Sequence, residues 1–385
     1  MIYFDNAATT HPKPEEVYRA QDTYLRDSAN PGRGVHRLAV ESARKIYAAR
    51  IEAASFLGIK DPERLVFTGG CTQSLNMALK GLAWRPGDVV VTSPLEHNSV
   101  MRPLRQLEGR CGIKLVAAAY SEEEGVDLRD LESKIGQYRP RLCAVSHASN
   151  VTGHLIDLPA VAEICCRLSV PLLVDAAQAA GVVPSGLDHP GISLWAASGH
   201  KSLLGPPGVG LLYVAPEIEL EPLVAGGTGS RSENLDMPEF YPDHLESGTL
   251  AGPAIAALGA GIAWLRAAGP DKVRQHELSL TGKFLDWAAT EPAVRLYGPP
   301  SGAGRTAIVS FAVAGITADR VADLLDRDFG IAVRAGLHCA ASAHETLGTA
   351  ATGLVRASFG PFNTPAEVDQ LCAALSRITA GAARR

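Results

Sequence analysis

Short uninterrupted apolar runs alternate with segments of helical periodicity over the first two thirds of the chain. Leu65-Val66-Phe67, Val89-Val90-Val91, Leu115-Val116-Ala117, Leu142-Cys143-Ala144-Val145, Leu172-Leu173-Val174 and Gly210-Leu211-Leu212-Tyr213-Val214 each have the length of a strand. Because they are apolar at every position, they predict strands covered on both faces, as in a largely parallel sheet. Between them, Val161, Ile164, Cys165 and Leu168 recur at i, i+3, i+4 and i+7, and Leu128, Leu131 and Ile135 follow a similar period, predicting amphipathic helices. Strand and helix in alternation imply an α/β domain with right-handed crossovers, whose ligand lies at the carboxyl ends of the strands.

The pattern changes near residue 254. Helices are expected over 254–268, 271–290, 318–328 and 365–379, with strands around 307–313 and 331–334. This predicts a smaller α+β unit, joined to the first through a loop that opens with Gly226-Gly227-Thr228-Gly229-Ser230 and runs to about Gly248. The expected division is a large α/β domain over 15–253, with 1–14 and 254–385 forming the small domain. No internal repeat interrupts the scheme.

Composition narrows the class. A chain of 385 residues, 46% hydrophobic and 20% charged, has enough apolar surface for about two domains and too much for a solvated coil. With 36 basic against 41 acidic residues the formal charge is −5, and no basic block exceeds the terminal Arg384-Arg385. That leaves no electrostatic footprint for nucleic acid or anionic lipid. Residues 247–265 are uncharged and approach the roughly 20 residues of a membrane span, yet they open with Ser-Gly-Thr and contain Pro253, so they read as a loop followed by a buried helix. The seven cysteines (Cys71, Cys111, Cys143, Cys165, Cys166, Cys339 and Cys372) are odd in number and lack CxxC spacing, which fits neither a disulfide framework nor a zinc ribbon. Cys165 and Cys166, in a helical pattern, are expected to be buried and inert. Reduced thiols, and an N-terminal stretch without a charged and then apolar leader, predict a cytoplasmic protein.

Two strand ends and a Gly-rich turn carry chemistry. After Leu65-Val66-Phe67 comes Thr68-Gly69-Gly70-Cys71-Thr72 and then a helical register, so free backbone amides and the Thr72 hydroxyl meet at a helix N-terminus, a setting for a phosphate or simply for a capped turn. Asp175 follows Leu172-Leu173-Val174, where a carboxylate either caps a helix or pairs with a cation. Lys201, in Ser198-Gly199-His200-Lys201, is either a solvated turn lysine or a buried amine pushed toward its neutral, nucleophilic form. Phosphate cradle, carboxylate and amine are together the parts that pyridoxal phosphate requires. His97, in Leu95-Glu96-His97-Asn98, is either a satisfied surface histidine or a ring that lies flat on the cofactor and moves protons near neutral pH.

Five motifs in order, Phe4-Asp5-Asn6-Ala7-Ala8-Thr9, Val174-Asp175-Ala176-Ala177-Gln178, Ser198-Gly199-His200-Lys201, Arg334-Ala335-Gly336-Leu337-His338-Cys339-Ala340 and Val355-Arg356-Ala357-Ser358, resemble the cysteine desulfurase family of class V aminotransferase-like, pyridoxal phosphate-dependent enzymes of fold type I. The short stretch between Arg334 and Arg356 is more similar to the group II branch, related to selenocysteine lyases. The resemblance implies that Lys201 binds the cofactor aldehyde, Asp175 pairs with the pyridine nitrogen, Gln178 contacts the phenolic oxygen and His97 stacks on the ring. It implies a phosphate held by Thr72, Ser198, His200 and the amide of Cys71, with Thr249 reaching the phosphate of a partner subunit in a homodimer. Asn150 and Arg356 would orient L-cysteine, and Cys339 would accept its sulfur as a persulfide for a sulfur-acceptor protein, as in iron-sulfur cluster assembly. An accessible, cation-stabilised thiolate is needed there, and Gly336 and His338 are expected to provide a flexible, polar setting. Also implied is His36, in Arg33-Gly34-Val35-His36, at the substrate entrance.

The chain departs from the family pattern in two places. Cys71 stands where many members have a hydroxyl residue, and Ala340-Ala341-Ser342-Ala343-His344 after Cys339 lacks the proline often found there. His338, Cys339 and His344 fall short of four recognisable metal ligands, so no metal centre is expected. Selenocysteine lyase, a cysteine-independent lyase or aminotransferase of the same fold, and a non-catalytic sulfur-relay scaffold are the competing readings.

Overall fold

The computed structural model describes residues 1–32, 34–300, 302 and 304–382; Arg33, Arg384 and Arg385 lie outside that set. Strands β2 (Leu65–Thr68), β3 (Val89–Thr92), β4 (Lys114–Ala117), β7 (Leu142–Ser146), β8 (Leu172–Asp175), β9 (Leu194–Ser198) and β10 (Gly210–Val214) form one sheet in the order β2-β10-β9-β8-β7-β3-β4. The pairs β9/β8, β8/β7, β7/β3 and β3/β4 are parallel, while β10 runs antiparallel to both β9 and β2. Successive residues of one strand enter different cores: Leu65, Phe67, Cys143, Val145, Leu172 and Val174 face one, and Val66, Leu142, Ala144, Leu173 and Leu212 the other. Coverage on both faces is what the unbroken apolar runs required.

Helices α1 (Glu15–Asp27), α2 (Arg37–Leu57), α3 (Cys71–Gly81), α4 (Asn98–Cys111), α5 (Leu128–Tyr138) and α6 (Leu158–Arg167) accompany this sheet, with a small hairpin of β5 (Tyr120–Ser121) and β6 (Gly125–Val126). The second sheet is antiparallel, in the order β11 (Val294–Tyr297), β12 (Ile308–Val313), β15 (Leu354–Ser358), β14 (Arg334–Gly336). Helices α8 (Pro270–Ala289), α9 (Ala318–Phe329) and α11 (Pro365–Ala382) pack with it around Phe284, Phe311, Val321, Leu325 and Leu371, and α10 (Ala341–Thr346) follows the Cys339 loop. The strand expected over 331–334 is two pieces, β13 (Ile331–Ala332), which pairs in parallel with the N-terminal β1 (Ile2–Tyr3), and β14.

Helix α7 (Gly252–Ala268) begins where the loop-then-helix reading placed it. It packs on α1 and α2, and Ile255, Leu258 and Ile262 belong to the core of the large sheet. That packing supports a unit boundary after α7, near Gly269, and we propose it there instead of at 253. Among the described residues no helix is long and apolar enough to cross a membrane.

Candidate active site

A cavity of about 700 Å³ opens at the carboxyl ends of β2, β3, β7, β8 and β9, walled on the other side by β14, β15 and the Cys339 loop. Of the residues singled out in the sequence, Cys71, Thr72, His97, Asn150, Asp175, Gln178, Ser198, His200, Lys201, Cys339 and Arg356 line it. Thr249 does not. It lines an adjoining depression with Gly69, Gln73, Gly208 and Leu223. His36 is not among the lining residues either; its ring caps α2 by accepting the Ala39 amide proton at 3.3 Å. A larger cavity, about 1180 Å³, lies elsewhere beside Glu63, Arg141, Cys166 and Glu221 and holds none of these residues.

The turn expected to cradle a phosphate is built from glycine. Gly70 sits at φ 150°, a conformation nearly closed to other residues, and a side chain at Gly210 would stand 2.4 Å from the Gly70 carbonyl carbon. This close approach brings the start of α3 against the sheet with no side chain capping its first amides. The Thr72 hydroxyl shares a hydrogen bond with Ser99 at 2.8 Å, and the buried Nδ1 of His200 has no partner among the described residues.

Asp175 ends β8 and is 5% exposed. Its Oδ1 accepts the Ala177 amide proton at 2.9 Å and the Cys71 thiol proton at 3.6 Å. Burial raises the Cys71 thiol, with Asp175 adding to the effect, so this sulfur is a neutral donor. Burial lowers the Lys201 amine from its ordinary value, against the pull of Asp175. Gln178 donates from Nε2 to the Ala7 carbonyl at 2.9 Å, which ties the end of β8 to the N-terminal segment.

His97 is the N-cap of α4, its Nδ1 accepting the Ser99 amide proton at 3.0 Å. The neutral ring therefore carries its proton on Nε2. Burial, with Lys201 and Arg356 adding to it, brings His97 down to about 4 against the opposing charge of Asp175. At neutral pH it is a donor rather than the near-neutral proton carrier the sequence suggested. Glu96 beside it is fully buried, accepting from Ser93 Oγ at 2.5 Å and from Ser146 N and Oγ at 2.9 and 2.7 Å, and burial raises its carboxyl to about 7.

The Cys339 loop is pinned, which corrects the expectation of flexibility. The Cys339 carbonyl accepts from Asn98 N at 2.7 Å, the His338 carbonyl from Asn150 Nδ2 at 2.7 Å, and Ala341 N donates to Asn98 Oδ1 at 3.3 Å. His338 and Cys339 both adopt left-handed backbone, φ 49° and 58°, and Cys339 is exposed. The His338 ring supplies no cation: it is buried, and burial, with the charge of Arg356 adding to it, brings it down to about 2. Arg356 lines the same cavity as Cys339. Arg356 donates from one terminal nitrogen to the Asn150 carbonyl at 2.9 Å and from the other to Asp5 at 3.0 Å.

Of the other six thiols, Cys166 is exposed, against expectation, because it falls on the outer side of α6, while Cys165 is buried. Asp5, Glu96, Asn98 and Arg334 drew no role from sequence reasoning. Asp5 and Arg334 lie inside quoted motifs, and only their pairing across the chain gives them meaning.

Residues 2–371 match the aminotransferase class-V family. A probable cysteine desulfurase of Methanothermobacter thermautotrophicus is 33% identical over 98% of this chain and 94% of its own. The apo structure of a cysteine desulfurase from Thermococcus onnurineus NA1 superposes with a TM-score of 0.92 at 33% identity, covering 99% of this chain and 95% of that one. The cysteine desulfurase CsdA of Escherichia coli, in an S-sulfonic acid form, gives 0.87 at 30% identity over 97% and 94%. The chain belongs to the aminotransferase class-V family and, within it, to the pyridoxal phosphate-dependent cysteine desulfurases.

Proposed function

We propose that this protein converts L-cysteine to L-alanine and takes the sulfur onto Cys339 as a persulfide. The observation that carries this is the exposed Cys339 thiol, held by a pinned loop in the wall of the cavity that contains Lys201 and Asp175. The residues present fit pyridoxal phosphate: uncapped α3 amides and the unpartnered His200 Nδ1 suit its phosphate, Asp175 Oδ2 is left without a hydrogen bond among the described residues, and the Lys201 amine is lowered toward its neutral form. When bound, the cofactor supplies an electron sink that weakens bonds at Cα and then Cβ of the amino acid.

The chain's own residues do the rest. Thr72, Ser198, His200 and the Cys71 amide hold the phosphate, Gln178 serves the phenolic oxygen, and the Lys201 amine binds the aldehyde and afterwards carries protons at the substrate carbons. The His97 ring covers the site. Arg356 and Asn150 orient the α-carboxylate. The Cys339 thiolate attacks the substrate sulfur; an S–S bond forms, the Cβ–S bond breaks, its electron pair stays with carbon, and protonation there leaves L-alanine.

We further propose a homodimer in which Thr249, outside its own cavity, serves the partner's phosphate, and an acceptor protein that takes the sulfur toward iron-sulfur cluster assembly. A reducing, cytoplasmic setting is supported by seven unpaired thiols.

Incubation of the holoenzyme with L-cysteine and a reductant should yield alanine and sulfide in equal amounts. Cys339→Ala should keep the visible absorption of the bound cofactor while desulfuration falls to below about one per cent of wild type, as when a nucleophile is removed. Alanine without sulfide, or full activity in Cys339→Ala, would refute the proposal. Preferential turnover of selenocysteine would redirect it to that substrate.

A further inference from the structure

The carboxylate-binding wall of the cavity contains a charge relation that the site residues alone do not explain. Arg334 and Arg356 are register partners across β14 and β15, so two guanidinium-bearing positions stand directly opposite one another. Like charges so placed destabilise a sheet unless an anion stands between them. That anion is Asp5, whose Oδ1 accepts from Arg356 at 3.0 Å and whose Oδ2 lies 3.8 Å from Arg334. Asp5 is itself fixed on both sides. Phe4 N donates to the Ala332 carbonyl, Ser358 N to the Phe4 carbonyl, and Ala7 N to Ser358 Oγ, at 2.8, 2.7 and 2.9 Å. Arg356 is 2% exposed. With its terminal nitrogens engaged by the Asn150 carbonyl and Asp5, its buried Nε is left without a partner among the described residues.

We propose that Asp5 is a positioning residue for the substrate carboxylate: by holding Arg356 and separating it from Arg334, it presents the Nε edge of Arg356 as the carboxylate-binding edge. The inference rests on the reading that Arg356 binds the α-carboxylate. Two arginines against one aspartate also leave this wall a single net positive charge, matched to a single carboxylate. Asp5 touches neither substrate nor cofactor in this scheme. It acts through the orientation of Arg356, and its loss should therefore be felt only by ligands that carry a carboxylate.

L-alanine and ethylamine differ only by that group, and binding of each to the holoenzyme can be followed through the cofactor absorption. Asp5→Ala should weaken L-alanine, and raise the KM for L-cysteine, by about 10-fold, the scale of one charge-assisted hydrogen bond, with ethylamine changed less than about twofold. Asp5→Asn, which keeps an acceptor at Oδ1, should stay closer to wild type than Asp5→Ala. Unchanged or tighter L-alanine binding in Asp5→Ala, or an equal loss for both amines, would overturn the inference, the latter because it reports general disruption of the site. Arg356→Lys separates the two levels. If it leaves L-alanine binding unchanged, the carboxylate reading of Arg356 fails; if it weakens L-alanine while Asp5→Ala does not, only the role of Asp5 fails.

Discussion

His97 does two things with one ring. Its Nδ1 closes the first turn of α4 by accepting the Ser99 amide proton, and its face lines the cavity. The residue type pointed to cofactor stacking, but nothing in Leu95-Glu96-His97-Asn98 shows which residue caps the helix, since Asn98 and Ser99 are both stronger capping residues. Two substitutions separate the roles. His97→Asn keeps a capping oxygen and loses the ring, so its unfolding free energy should lie within about 0.5 kcal/mol of wild type while cofactor affinity falls. His97→Phe keeps the ring and loses the cap, so it should cost about 1 kcal/mol in stability and retain cofactor better. Denaturant titration of the two apoproteins, beside cofactor titration, checks the ordering, and the reverse ordering would show that the cap does not stabilise α4.

At the level of elements, the site depends on how β2 meets α2 and the loop before α7. Arg50 of α2 and Glu246 form a buried bidentate pair at 2.9 and 2.8 Å, the Glu246 carboxylate also accepts the Phe67 amide proton at 2.6 Å, and Arg50 donates to the Leu65 carbonyl. One carboxylate thus joins α2, β2 and the segment leading to Thr249. Glu246→Ala leaves Arg50 charged, buried and unpaired, so it should destabilise the fold by about 3–5 kcal/mol. Urea titration at constant slope is the check, and a loss under about 1 kcal/mol would place the pair among those of no consequence. Neither partner was visible as such in the sequence, because they stand 196 residues apart. The parallel strands were legible because burial on both faces leaves unbroken apolar runs, as in β7 and β8. Strand β9 was not: Leu194-Trp195-Ala196-Ala197-Ser198 contains no β-branched residue. Missing it also hid the reversal of β10, since the link from Ser198 to Gly210 contains no helix with which to make a parallel crossover.

Across the whole molecule the buried titratable groups oppose one another in pH. Burial brings His97, His147, His154 and His200 down to about 4, and it raises Glu96 to about 7 and Glu277 to about 8. Glu277 of α8 lines a void of about 30 Å³ with Asn6, Gln178, Ser202 and Ser358, where the two units and the N-terminal segment meet. This arrangement escapes a linear reading because each contributor comes from a different part of the chain. The histidines have folded values below their unfolded ones, so between about pH 6.5 and 4 the unfolded chain binds more protons and stability falls as pH is lowered. The glutamates have folded values above the ordinary carboxyl value, so the folded chain holds protons that the unfolded chain has released. Their contribution is complete below about pH 4.3 and is lost as pH rises through about 7 for Glu96 and about 8 for Glu277. The thermal midpoint of the cofactor-free protein should therefore fall below about pH 6 and again toward pH 8. Glu277→Gln removes one contributor to the alkaline fall. Its midpoint relative to wild type should rise steadily from pH 5 to pH 8, and a difference between the two proteins that stays constant across that range would mean that Glu277 does not titrate there.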